Sequence, residues 1–430
     1  MLPKDPMLAV LIAVPAVILT CQASAWAVRR LGQPAVIGEI LAGILLGPSL
    51  LGWLAPDLQH WLLPPAVLPI TSSLGNLGLL VFLFLVGFEL DLGSLRGHSR
   101  TAAAVSQAGI LVPLALGCAL AWAMYPTLAP AHTGRTAFVL FIGTALSITA
   151  FPVLARILSD RGLATTQLGA LAMACAAASD AIAWCLLAGV VALCAAGSPV
   201  SALTTLALAA AVTAALVALR PGLLRLLQRA ERASDELVMV TVFVGMCLTA
   251  YVTDRIGVHP LFGAFLFGAV TPRGLPALER CTARLRAVAV PILLPLFFVD
   301  TGLHTDFARL AAGPSLWLWT LAVLGAAVAG KWGSATLAAR LTGCAWRPAA
   351  ALGVLMNCRG LTELVVLNIG RQLGVIGTDL FSILVLMALL TTAATTPLLN
   401  LLTRGGTELA RETSGGRPAT PAREAAGARP

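Results

Sequence analysis

The chain has 430 residues, 58% of them hydrophobic and 11% charged, with a mean hydropathy of +0.91. No soluble globular protein carries that apolar load, so the composition is that of a polytopic membrane protein. The formal net charge of +9 does not point to nucleic acid. The basic residues sit in short loops between apolar runs and do not alternate with aromatics, which is a topology signal. The nine cysteines stand singly, mostly inside apolar runs and without a C-x-x-C pair. They read as small buried hydrophobes, not as a metal site or a disulfide framework.

Cutting the chain at charges and turn residues leaves thirteen apolar runs, at about 7–28, 34–54, 67–89, 101–125, 136–158, 166–194, 199–219, 236–253, 259–272, 285–303, 314–338, 348–369 and 378–402. The first has Ala23-Ser24-Ala25 near its end, which resembles a signal-peptide cleavage site. It is longer than a signal core, however, and its basic pair Arg29-Arg30 follows it, so it reads as a first spanning helix. The ninth run is short. With the N-terminus outside, 21 of the 28 Lys and Arg side chains fall on the inner side. Five (Lys4, Arg135, Arg255, Arg309 and Arg371) fall outside, and Lys331 and Arg359 lie within apolar runs. That asymmetry predicts an N-out, C-in multi-pass protein of the cell membrane. Residues 220–236 read as a basic, amphipathic inner connector, a solvated hinge between two halves. Residues 403–430, rich in Gly, Pro, Ala, Arg and Glu, read as a disordered cytoplasmic tail.

Two runs are interrupted at mid-span. In the fifth, Ser147-Ile148-Thr149-Ala150-Phe151-Pro152 brings a proline whose ring crowds the carbonyl of Ile148 and frees backbone oxygens in the membrane. In the twelfth, Asn357-Cys358-Arg359-Gly360-Leu361-Thr362-Glu363 inserts polar and charged groups. Helices one to six match helices eight to thirteen with an offset of seven. An odd offset inverts the second half, so the two interruptions correspond. Paired interruptions in inverted halves point to a transporter's midplane site.

The run 168–193 carries a single charge, Asp180, preceded by Ser179. A carboxylate there costs about 2.5–3.5 kcal/mol on insertion scales, a cost met where the charge faces an ion, a proton or a partner. Ala170, Ala174 and Ala178 make a small-residue face against which another backbone packs closely. The other charges within apolar runs are Glu39, Asp300, Lys331, Arg359 and Glu363. Glu39 reads as a structural acid pairing with a loop arginine, and Asp300 as a residue near the outer mouth. Lys331 either pairs with a carboxylate (Asp180, Asp300 or Glu363) or loses its proton. Arg359 must be paired or solvated, and Glu363 four residues on is its partner if the segment is helical.

These residues resemble the sodium/proton exchanger superfamily, and within it the monovalent cation:proton antiporter family 2, which includes the Kef-type and plant cation/proton exchangers. The resemblance covers about residues 7–402 and runs through Gln33–Ile40, Gly43–Ser49, Ser147–Arg156, Ser179-Asp180, His259–Phe265, Leu294–Phe298, Gly330-Lys331 and Met356–Leu364. It implies an all-α fold of about thirteen transmembrane helices in two inverted repeats, with two unwound helices crossing beside the ion-binding aspartate. It implies a core of about residues 101–194 and 314–402, and a dimer-forming scaffold of about residues 7–89 and 199–303. The family's acidic ion site falls on Asp180, its crossing helices on 147–152 and 357–363, and its core lysine on Lys331. Charge-moving relatives carry two adjacent aspartates, and here the first position is Ser179. Only about 28 residues follow the membrane part, so gating by a Kef-type nucleotide domain is not expected.

The sequence therefore predicts a secondary antiporter of Na⁺ or K⁺ against H⁺, electroneutral, with no enzymatic reaction, cofactor or nucleic-acid partner. No G-x-x-x-x-G-K-[ST] motif for ATP is present. The expected cation ligands are Asp180, the hydroxyls of Ser179, Ser147 and Thr149, and freed carbonyls near Ile148. Lys331, Arg359, Glu363 and Asp300 are the expected charge partners. A proton-coupled exporter of an organic ion or antibiotic is the alternative, kept open by Trp184 beside the site.

Overall fold

The computed structural model describes residues 6–89, 100–163, 166–195, 199–307 and 313–403, and among these there is no strand. Hydrocarbon leaves backbone groups no partner but one another, which is why such apolar runs form helices. In chain order they are α1 (Pro6–Arg30), α2 (Ala35–Leu46), the short α3 (Leu51–Leu54) and α4 (Pro56–Leu62), α5 (Leu68–Glu89), α6 (Arg100–Leu128), α7 (Arg135–Ser147), α8 (Phe151–Asp160), α9 (Gln167–Ala195) and α10 (Pro199–Ala233). Then follow α11 (Asp235–Arg255), α12 (Pro260–Val270), α13 (Pro276–Val288), α14 (Leu294–Leu303), α15 (Pro314–Val328), α16 (Ser334–Leu341), α17 (Trp346–Met356), α18 (Leu361–Gln372) and α19 (Thr378–Thr403). Single π-turns join α13 to α14 at Ala289–Leu293 and α15 to α16 at Ala329–Gly333.

Among the described residues, eleven helical stretches are long and apolar enough to span a bilayer, and the bent pair α17–α18 makes a twelfth. The short apolar helix α12 stands where the ninth run was read. The multi-pass all-α expectation therefore holds, with each of the thirteen runs matched by helix. The connector after residue 219 differs from expectation. α10 continues as helix to Ala233, Pro221 included, and Ser234 then caps α11 by accepting the Leu237 N–H at 3.1 Å. It is a rigid extension and not a loop hinge. Residues 404–430, predicted to be disordered, and Lys4, Arg96 and Arg309 of the charge count lie outside the described residues.

The helices pack in two sets. α1, α2, α5 and α11–α14 pack chiefly on one another, and α6–α9 pack with α15–α19, while α10 touches α9, α11 and α12. Close backbone approach holds each set together. A Cβ on Gly302 of α14 would fall 2.0 Å from the carbonyl carbon of Gly43 in α2. In the second set, a Cβ on Gly117 of α6 would fall 2.8 Å from the Gly143 Cα of α7. Glycine is required at both crossings because even a methyl group has no room.

Candidate functional site

Both predicted interruptions are real, and each is shorter than the sequence segment named for it. α7 ends at Ser147, Ile148 turns extended (φ −72°, ψ 142°), and α8 begins at Phe151. Pro152 falls in the first turn of α8, where its missing N–H costs nothing. It starts the second half-helix, and no ring clash with Ile148 is needed to explain the break. α17 ends at Met356 and α18 begins at Leu361, so Thr362 and Glu363 already belong to the first turn of α18. The two breaks touch. The Ala150 N–H donates to the Cys358 carbonyl at 3.1 Å, and the Thr149 hydroxyl donates to the Met356 carbonyl at 3.4 Å. Thr392 of α19 pins the second break from behind, donating to the Arg359 carbonyl at 2.6 Å and accepting the Arg359 N–H at 3.0 Å.

A helix that stops in mid-membrane leaves carbonyls with a partial negative charge. Two cations from elsewhere in the chain cap the end of α7. The Arg359 guanidinium donates to the carbonyls of Ala145 (3.2 Å) and Leu146 (2.6 Å) and to the Glu363 carboxylate (2.7 Å). Arg359 and Glu363 are both fully buried and paired, although Arg359 stands in the break, outside the helix on which the pairing was conditioned. Lys331, carried on the π-turn between α15 and α16, donates to the Gly109 carbonyl at 2.7 Å and to the Ser147 carbonyl. Of the two expectations for Lys331, the carboxylate partner is not found: among the described residues it forms no ion pair, and two backbone oxygens accept from its Nζ. Lys331→Met is expected to leave both carbonyls unsatisfied and lower stability by about 1–3 kcal/mol per carbonyl. A melting curve matching that of the parent protein would contradict this capping role.

The capping also changes the ligand set. The carbonyls at the end of α7 serve Arg359 and Lys331. Both hydroxyl hydrogens of the predicted ligands Ser147 and Thr149 are committed too, Ser147 donating to Thr144 at 2.7 Å. Their oxygen lone pairs stay available to a cation. Asp300 lies apart from this cluster. Its carboxylate faces Arg371 at 3.8 Å and His304 at 4.0 Å, tying α14 to α18. Glu39 is half-buried within electrostatic reach of Arg156 in α8 and Arg29 in α1.

Asp180 sits at the middle of α9, 2% exposed, and both of its carboxylate oxygens lack a hydrogen-bond partner. The Trp184 indole one turn on lies beside the carboxylate without an aligned bond. The neighbouring Ser179 hydroxyl is likewise buried and unpartnered. Ile148, Ala183, Trp184, Leu187, Thr362 and Val366 enclose a cleft with Asp180 that is too tight for a water. Thr362 Oγ1 and Asn357 Oδ1 are also buried without partners. Neither oxygen is among the ligands expected from the sequence, although both stand in the polar stretch 357–363. Polar side chains inside an apolar span were the available signal. Unpartnered buried oxygens are costly unless something else binds them.

An all-helical membrane bundle with two broken helices crossing beside an unpartnered buried carboxylate has the build of a secondary transporter. Residues 16–401 match the family model for "Sodium/hydrogen exchanger, transmembrane". The chain is 40% identical over 373 residues to the Na(+)/H(+) antiporter NhaS4 of Synechocystis, covering 86% of this chain and 91% of that protein. It is 42% identical over 383 residues to cation/H(+) antiporter 20 of Arabidopsis thaliana, and 34% identical over 397 residues to K(+)/H(+) antiporter 1 of Saccharomyces cerevisiae. It spans only 45% of the length of each of these two, against 86% and 90% of its own. The solved sodium proton antiporter MjNhaP1 of Methanocaldococcus jannaschii matches with a TM-score of 0.64 at 16% identity, over 96% of this chain and 100% of that one, a likeness of fold. The chain belongs to the transmembrane sodium/hydrogen exchanger family, whose members are cation/proton antiporters and not enzymes.

Proposed function

We propose that the protein exchanges Na⁺ or K⁺ for H⁺ by alternating access, with Asp180 as the carboxylate for which the two ions compete. The observation that carries this reading is that both Asp180 oxygens are buried and unpartnered between the two breaks, while Arg359, Lys331 and Glu363 each have at least one partner and only one of the Glu363 oxygens is left over. Ser179, Thr362, Asn357 and the lone pairs of Ser147 and Thr149 supply neutral oxygens. The tight cleft disfavours the organic cargo of the alternative reading. The set α6–α9 with α15–α19 is proposed as the moving core, and α1, α2, α5 and α10–α14 as the scaffold and dimer contact. The arginine-rich ends face the cytoplasm across the cell membrane, by the positive-inside rule.

Stoichiometry follows from the same site. Ser179 does not ionise near neutral pH, so the Ser179–Asp180 pair offers one titratable group. One proton then leaves for each monovalent cation, and no net charge moves. In proteoliposomes with a panel of alkali cations, a cation pulse is expected to move protons at a rate independent of imposed membrane potential. A rate that follows the potential, or a reversal point requiring more than one proton per cation, overturns the one-to-one reading. No proton movement with any alkali cation overturns the antiport itself.

A further inference from the structure

The two ends of the interface between the helix sets are built differently. At the arginine-rich end, a cavity of about 640 Å³ opens between the α1–α2 turn, α8 and α19, lined in part by Arg29, Gln33, Arg156 and Thr396. One hydrogen bond, from Arg161 Nη2 to the Gly32 carbonyl at 3.2 Å, crosses between the sets beside it, and at the opposite end more contacts tie them together. Asn368 Nδ2 of α18 donates to Thr301 Oγ1 of α14 at 2.8 Å, and the Asp306 N–H donates to Ser382 Oγ of α19 at 3.0 Å. The Asp300–Arg371 pair lies at this same end.

Between these ties and Asp180 lies an apolar plug. Trp184 of α9 is 4% exposed and stacks on Phe265 of α12, with ring centroids 5.6 Å apart and planes 26° from parallel. Trp184 and Leu187 form a shared wall. On one side is the Asp180 cleft, and on the other a space of about 10 Å³ bounded by His259 and Phe262, room for about one water. An alkali ion passing this wall would exchange oxygen ligands for ring carbons, and hydrophobic constrictions stop ions by excluding water. α9 and α12 belong to different sets, so the stack spans the surface along which the sets would slide.

We propose that Trp184 is the outer gate of the transport path, closing Asp180 from the end carrying Arg371 by stacking on Phe265 and opening when α9 moves along α12. This rests on the antiport reading, and the test separates the two. Full-length protein is reconstituted in vesicles holding an imposed pH gradient in a medium free of alkali cations. Wild-type vesicles are expected to keep the gradient until Na⁺ or K⁺ is added. Trp184→Ala is expected to lose it before any cation is added, because Asp180 then stays open to the outer end whenever the carrier opens to the inner one. Trp184→Phe keeps an apolar ring in the stack and is expected to hold the gradient. Adding Asp180→Asn to Trp184→Ala is expected to stop the leak, since the protons pass through that carboxylate. If Trp184→Ala does not fold, Phe265→Ala removes the other half of the stack and should leak in the same way. Wild-type vesicles that never exchange count against the antiport reading. Exchanging wild type with an equally tight Trp184→Ala or Phe265→Ala overturns the gate, as does a leak that persists in the Asp180→Asn double variant.

Discussion

Asp180→Asn is expected to abolish cation-coupled proton movement while the protein still folds. Asparagine keeps the shape of the side chain but neither ionises nor exchanges a proton, so the shared site is lost outright. Folding should survive because neither carboxylate oxygen holds a hydrogen bond that the substitution would break. Removing a buried carboxylate also removes an insertion cost of about 2.5–3.5 kcal/mol, so the melting temperature should hold or rise. Ser179→Ala is the milder companion. It deletes one neutral oxygen beside the carboxylate, so half-saturation should need more cation while the maximal rate survives. Initial rates in proteoliposomes and melting in detergent check the pair. An Asp180→Asn protein that exchanges at the parental rate removes Asp180 from the ion site.

The positions of the helices and of both breaks were legible because membranes make sequence unusually literal. Apolar runs must be helices, and a polar stretch within one must be buried for a reason. The partnership of Arg359 and Glu363 was legible from their closeness in sequence, although the helix assumed between them starts only at Leu361. Lys331 was not. Its partners Gly109 and Ser147 act through backbone carbonyls, which carry no side-chain signature, and they come from helices far away in sequence. Asp300 was read both as a residue near the outer mouth and as a possible charge partner in the core; its partners, His304 just past α14 and Arg371 on α18, set it apart from the cluster. Trp184 was visible as a neighbour of Asp180, but its stacking on Phe265 depends on how α9 meets α12, which no local pattern encodes.

Arg359→Met is expected to be the most destabilising single change in the core. The guanidinium is fully buried and serves three acceptors at once: two carbonyls that end α7 and the carboxylate that begins α18. Methionine fills much of the volume but supplies no donor. Glu363 is then left as a buried charge without its partner, a loss of roughly 3–5 kcal/mol when one half of such a pair is removed. Arg359→Lys should recover part of this and not all, because a compact ammonium lacks the planar fork that reaches two carbonyls and a carboxylate together. Glu363→Gln in the Arg359→Met background is the decisive combination. It removes the stranded charge, so the double variant should be more stable than Arg359→Met alone, with a coupling energy of about 0.5–3 kcal/mol in the cycle. It should stay below wild type, because the Ala145 and Leu146 carbonyls remain uncapped in either background. Melting curves for the four proteins decide the matter. Additive losses would mean that the pair does not hold the crossing together, and the two broken helices would then owe their geometry to packing alone.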